Sequence, residues 1–195
     1  MLPNLKGMIQ LRRYIDRITV SILLLIAIQP PVSAQQFQPV DAGSTVKFSI
    51  KNFGISTTGT LNGLKGTIIF QPDNLAIAKF RVSVNSSSID TDNKTRDRHL
   101  RGEDYFNAEK FPLIIIESTS IEKASNVDGY ILKGKLTIKG ITRNINFPFT
   151  AKQIGNGYLF NGNFNINRLD FGVGSSSAFL ANQLKVQLSI KAVAQ

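Results

Sequence analysis

Cysteine and tryptophan are both absent from the 195-residue chain, and histidine occurs once. Without thiols no disulfide can brace the fold, no lipid-modified amino-terminal cysteine can anchor it, and the core alone must hold it together. Zinc and related metals draw three or four ligands from histidine, cysteine and carboxylates. A lone His99 therefore argues against a resident metal, and no cofactor is expected. A glycine-rich phosphate loop ahead of a helix is also lacking, which leaves nucleotide binding without support. Ser175-Ser176-Ser177 has no nucleophile-elbow pattern around it, so a hydrolase triad is not indicated. Repeats, acidic tails and low-complexity segments are missing as well, and one domain is expected.

Acidic residues are few: 13 Asp and Glu stand against 23 Lys and Arg. Lys6, Arg12, Arg13 and Arg17 begin the chain, an apolar run follows from Ile18 to Ile28, and Val32-Ser33-Ala34 offers small residues. That order reads as a removed export signal over 1–34. The run of 11 residues is short of the roughly 20 that cross a bilayer as a helix. The expected mature domain is 35–195, periplasmic or secreted. Losing four cations and one acid with the leader leaves 19 against 12, net +7. These charges are scattered along the strands rather than gathered in a stripe, so nucleic acid is not an expected partner. Transient contact with an anionic membrane surface is. The oligomeric state is left open, a homodimer included.

Beyond Asp41 apolar residues recur at every second position, as in Val46, Phe48, Ile50; Ala76, Ala78, Phe80, Val82, Val84; and Val186, Leu188, Ile190, Ala192. Period two marks half-buried strands, and the polar alternates suit antiparallel pairing with one wet face. Strands are predicted near 45–52, 57–61, 65–71, 75–84, 113–122, 130–138, 144–154, 158–165 and 183–193. Gln35 to Pro39 reads as a linker. Asp128-Gly129 and Asn156-Gly157 read as hairpin tips, with further reversals at Asn62-Gly63 and over 71–74. The fold class is all-β: a single closed antiparallel barrel of about eight strands. A polar insert over 92–107 interrupts it, with Asp92 as helix cap, Gly102 as terminator and a short turn beyond, and serves as a lid or plug.

By alternation the interior side chains are Phe48, Ile50, Phe80, Val82, Ile114, Ile116, Leu136, Ile138, Phe147, Phe149, Phe160, Phe164, Val186 and Leu188, with Leu100 and Phe106 added from the insert. Such rings fill a packed barrel or line a tunnel, and physics alone leaves both open. Asn167-Arg168-Leu169-Asp170 reads as strand, with Arg168 and Asp170 on one face, paired with charges of the insert or touching a headgroup.

Four segments, in order, resemble the YceI-like family: Val46-Lys47-Phe48-Ser49-Ile50-Lys51-Asn52-Phe53-Gly54; the insert with Asp97-Arg98-His99-Leu100-Arg101; Gly134-Lys135-Leu136-Thr137-Ile138-Lys139-Gly140-Ile141-Thr142; and Asn167-Arg168-Leu169-Asp170-Phe171-Gly172-Val173-Gly174. The resemblance implies a lipocalin-like barrel enclosing a long polyisoprenoid chain, a quinone tail or prenyl lipid, and so favours the tunnel. Many members carry histidine where this chain has Asn52, which bears on headgroup preference. Asn52, Arg98, His99, Arg168 and Asp170 are the headgroup or mouth candidates. The expected function is that of an exported isoprenoid-lipid carrier or scavenger, with no catalytic residue. The alternatives are an envelope enzyme of lipid or stress chemistry using Asp97, Arg98 and His99, and a packed-barrel structural module.

Overall fold

The computed structural model describes residues 35–125 and 128–195; the leader expected over 1–34 lies outside the described residues. Among the described residues ten strands and one α-helix follow in chain order: β1 (Gln36–Pro39), β2 (Thr45–Asn52), β3 (Ile55–Leu61), β4 (Lys65–Ile69), β5 (Lys79–Asn85), α1 (Lys94–Arg101), β6 (Leu113–Lys123), β7 (Tyr130–Ile138), β8 (Ile141–Ile154), β9 (Gly157–Asn167) and β10 (Leu180–Ala194). Every strand pairing is antiparallel.

Eight strands, β1-β4-β5-β6-β7-β8-β9-β10, close on themselves through a β1–β10 pairing. Closure removes the exposed edges that an open sheet would present. The remaining pair, β2 and β3, branches from β10, whose great length makes this possible. One edge of β10 pairs with β9 from Gln183 to Ala192. The other pairs with β2 from Leu180 to Ser189 and with β1 from Ala192 to Ala194. The barrel is therefore joined at one end by the short β1 and widened at the other by the β2–β3 hairpin. The outer strand β3 pairs with β2 on one edge and is bridged near its end on the other, at Thr60–Asp90.

Alternation is clearest in β7, where Leu132, Leu136 and Ile138 are buried and Lys133 and Lys135 are exposed. Turn chemistry sets the register. Asn52 pairs with Ile55 across Phe53-Gly54, and Ile138 with Ile141 across Lys139-Gly140. Both residues of each turn have positive φ, the type I′ geometry that matches strand twist.

Several boundaries differ from expectation. The linker over 35–39 is in fact β1, whose Phe37 is 1% exposed. Leu75–Ile77, read as strand, is a 3-10 turn, because alanine at 76 and 78 gives alternation without bulk to bury. The β8–β9 tip is Gly155-Asn156, since Ile154 pairs with Gly157 and Gly155 carries the positive φ. Asp128-Gly129 is not a two-residue tip: Lys123 pairs with Tyr130, and the Ala124 amide donates to the Gly129 carbonyl at 3.0 Å. Asn93, not Asp92, caps α1 by accepting from the Arg96 amide at 3.0 Å.

The far end of the barrel is stoppered by aromatic rings. Phe70 makes edge-on contacts with Tyr130, Tyr158 and Phe160 at centroid distances of 5.1, 5.3 and 5.3 Å. Phe37 meets Tyr158 in the same way. Edge-to-face pairs of this kind contribute about 0.5–1.5 kcal/mol each beyond their area burial. This end is a packed plug.

Candidate functional site

Above the plug the interior is hollow, with a cavity of about 920 Å³. Its floor is made by Phe80, Phe149 and Phe160, which also pack on the plug. All sixteen side chains placed inside by alternation and by the insert border it. Two-residue periodicity fixes which face of each strand points inward, so one correct phase per strand places every inward residue of that strand. Others in the wall were missed, among them Val46, Val84, Leu132, Leu184 and Ile190. The same alternation would have found them, since each is two or four residues from a named neighbour. Gly59 matters here because Phe48 lies across it: a Cβ at that position would sit 2.5 Å from the Phe48 ring.

The mouth lies between the β2–β3 tip, the amino-terminal half and His99 of α1, and the loop after the Arg168–Phe171 turn. Its exposed members are Phe53, Asn93, Thr95, His99, Ser175, Ser176, Ser177 and Phe179. Phe53 and Phe179 stack with centroids 4.5 Å apart, and the Phe53 amide donates to the Phe179 carbonyl at 2.8 Å. Nothing in a sequence links residues so far apart.

The five mouth candidates divide. Asn52, His99 and Arg168 border the cavity, while Arg98 and Asp170 are exposed and do not. Asn167–Asp170 is not all strand: Arg168–Phe171 forms a 3-10 turn, so Arg168 and Asp170 do not share a strand face. Arg168 is 3% exposed. Among the described residues no carboxylate pairs with it. Its guanidinium instead donates to the carbonyls of Ala181 (3.0 Å), Val173 (2.8 Å) and Ser175 (2.8 Å) and to the Asn182 side chain (3.1 Å). Burial lowers its pKa from the ordinary arginine value, as desolvation disfavours the charged form. Five donors in a rigid fork suit this task, which one ammonium could not perform. Arg168 is a clamp on the loop that carries Phe179.

The Asp97-Arg98-His99 run also comes apart. Successive helix residues point about 100° from one another, so the three side chains diverge. Asp97 is buried and accepts from the Thr91 amide (3.0 Å) and hydroxyl (2.6 Å). Arg96 grips Thr91 from the other side through its hydroxyl (2.7 Å) and carbonyl (2.6 Å). Arg101 donates to the Ser87 and Ile89 carbonyls at 2.7 and 2.9 Å. Arg96, Asp97 and Arg101 thus tie α1 to the segment that leads into it, and only His99 of the Asp97-Arg98-His99 triplet borders the cavity.

A closed antiparallel barrel with a plug at one end and an apolar cavity opening at the other defines a lipocalin-like container. The chain belongs to the YceI-like domain family, whose model matches residues 37–194. It is 34% identical over 155 residues to a UPF0312 protein of Yersinia pestis (strain Pestoides F), covering 76% of this chain and 80% of that relative. Among solved structures it is similar to BcnA of Burkholderia cenocepacia, with a TM-score of 0.73, 26% identity, and coverage of 78% of this chain and 98% of that one. A polyisoprenoid binding domain from Saccharophagus degradans shares the fold at a TM-score of 0.66 and 12% identity, over 82% of this chain and 98% of that one.

Proposed function

We propose that the protein is an exported, periplasmic or secreted carrier or scavenger that holds a long isoprenoid lipid, a quinone or prenyl lipid, in its barrel cavity. The observation that carries the reading is the continuous apolar hollow of about 920 Å³, near the top of the roughly 300–1,000 Å³ typical of small-molecule sites. The Saccharophagus degradans domain of the same fold, described as polyisoprenoid binding, supports an isoprenoid over other apolar cargo.

The driving force is removal of hydrocarbon from water, about 0.8 kcal/mol per CH2. One five-carbon unit gains roughly 3–4 kcal/mol gross on that coefficient, so a few units outweigh the cost of immobilising the chain. Affinity then comes from length and fit, with Asn52 and His99 at the mouth available to a polar head. Binding is favoured over catalysis because Asp97 is turned towards Thr91 and Arg98 lies outside the cavity, which leaves His99 without an ion-paired acid to orient it among the described residues. Extraction of the purified protein with organic solvent, followed by mass spectrometry, is expected to release a prenyl lipid. Protein that is repeatedly empty, and that takes up no added prenyl lipid, would overturn the reading.

A further inference from the structure

The mouth of the cavity is greasy on its outside. Among the described residues five large apolar side chains are exposed, and three of them belong to this rim: Phe53 at 67%, Ile55 at 72% and Phe179 at 59%. Isolated exposed apolar side chains are ordinary, but clustered ones rimmed by polar groups mark a contact surface. Phe53 adds a second sign. It occupies the first position of the β2–β3 turn with φ +50°, a left-handed conformation that bulky residues rarely take and that costs stability. A tip of Asn-Gly would make the same turn without that cost. The chain instead places a ring there, 4.5 Å from that of Phe179, facing solvent.

Exposed cations flank the greasy rim. Lys51 precedes the tip, and Lys94 and Arg98 lie on α1; all three are exposed, and none has a carboxylate within ion-pairing distance among the described residues. From Asp92 to Arg101 there are four cationic side chains against two acidic ones, and one of those two, Asp97, is buried against Thr91. Asp90 and Asp92 before the helix and Glu103 and Asp104 after it are the exposed opposing charges nearest to it along the chain.

We infer that this rim is a docking surface for an anionic lipid bilayer. Phe53, Ile55 and Phe179 enter the boundary between headgroups and acyl chains, while Lys51, Lys94 and Arg98 face lipid phosphates. Binding of this kind scales with buried apolar area plus attraction to anionic lipid. The inference rests on the isoprenoid reading for its purpose: a cavity that opens between membrane-seated rings lets a hydrocarbon chain pass from bilayer to barrel without crossing water.

The chain has no tryptophan, so Phe179→Trp creates a single reporter at the rim. Mixed with vesicles of phosphatidylglycerol and phosphatidylcholine, its emission is expected to shift to the blue and to be quenched when the acyl chains carry bromine. Raising salt should weaken both effects. A second variant, Lys51→Ser with Ile55→Ser, alters rim residues that do not border the cavity. Its partition onto the same vesicles should fall by roughly tenfold or more, while its Kd for dispersed farnesol stays within about twofold of the parent. Farnesol binding by the parent without vesicle binding overturns the docking surface and leaves the isoprenoid reading intact. Vesicle binding that the double variant loses, with no isoprenoid taken up, supports the surface and removes the isoprenoid reading. Equal binding to pure phosphatidylcholine, or an unquenched indole in vesicle-bound protein, also overturns it.

Discussion

Val186 lies halfway down β10, with Phe48 of β2 on one side and Phe164 of β9 on the other, and its side chain borders the cavity. The substitution Val186→Phe adds four carbons to that wall, and they project into empty space, not packed neighbours. Overpacking a filled core commonly costs about 1–3 kcal/mol; here the stability of the empty barrel should change by less than about 1 kcal/mol, because the ring has room. A guest chain long enough to pass this level loses the space for about four of its own carbons, or about 3 kcal/mol at the transfer coefficient. Its Kd should rise roughly a hundredfold. Val186→Leu adds one carbon, about 0.8 kcal/mol, and should raise Kd roughly fourfold. A prenyl series titrated by competition with a fluorescent lipid, alongside urea unfolding of each empty variant, separates affinity from stability. Graded loss for long chains with little change for the shortest is the expected outcome. Long-chain affinity unaltered in a folded Val186→Phe protein would refute the placement of the guest.

Two further outcomes follow from buried polar groups. Arg168→Met leaves the carbonyls of Val173, Ser175 and Ala181 without their donor and should cost about 2–4 kcal/mol, read as a lower urea midpoint; Arg168→Lys should recover only part, and an unchanged midpoint would remove the clamp from the account. Burial in the aromatic plug, aided by the electrostatic influence of Tyr158, Asp128 and Asp73, raises the Tyr130 pKa above its ordinary 10.0. The unfolded chain therefore releases this proton first as pH rises, so the contribution of Tyr130 is complete below about pH 10 and is lost as pH climbs through its folded pKa. Tyr130→Phe should flatten the alkaline decline in thermal stability, and an identical decline in both proteins would contradict the burial argument.

How legible these features were depended on whether they were local. The inward face of the barrel could be read because alternation is a property of neighbouring residues, and Phe147, Phe149, Phe160 and Phe164 declare it in two strands alone. The short β1 could not: Gln36-Phe37-Gln38-Pro39 holds one apolar side chain and a proline, and it is strand only because β4 and β10 supply partners on both sides. The left-handed, two-residue form of the turns at Phe53-Gly54 and Lys139-Gly140 escaped for a chemical reason. Asparagine or aspartate usually takes the first left-handed position, and neither phenylalanine nor lysine announces it. Arg168 was singled out, but its partners lie five to fourteen residues ahead, and spacing on an assumed strand pointed elsewhere.

The two ends of the barrel show why one arginine bears on both stability and access. At the plug, rings meet rings and no charge is needed. At the mouth the wall is completed by the 173–180 segment, which has no strand partner until Leu180 and whose Val173 and Ser175 carbonyls accept from Arg168. An arginine without a carboxylate satisfies several of them at once, and a carboxylate would have competed for the same donors. The segment so held carries Phe179, and Phe179 holds Phe53 by stacking and by its carbonyl. Loosening the clamp should therefore widen the mouth before it disturbs the floor at Phe149 and Phe160. Arg168→Lys, assayed below its unfolding midpoint, should exchange lipid with vesicles faster than the parent, with release and uptake rates rising together and Kd for a bound chain little changed. A slower exchange would mean that the loop needs its rigid form for transfer, and would reverse the sense in which Arg168 governs the opening.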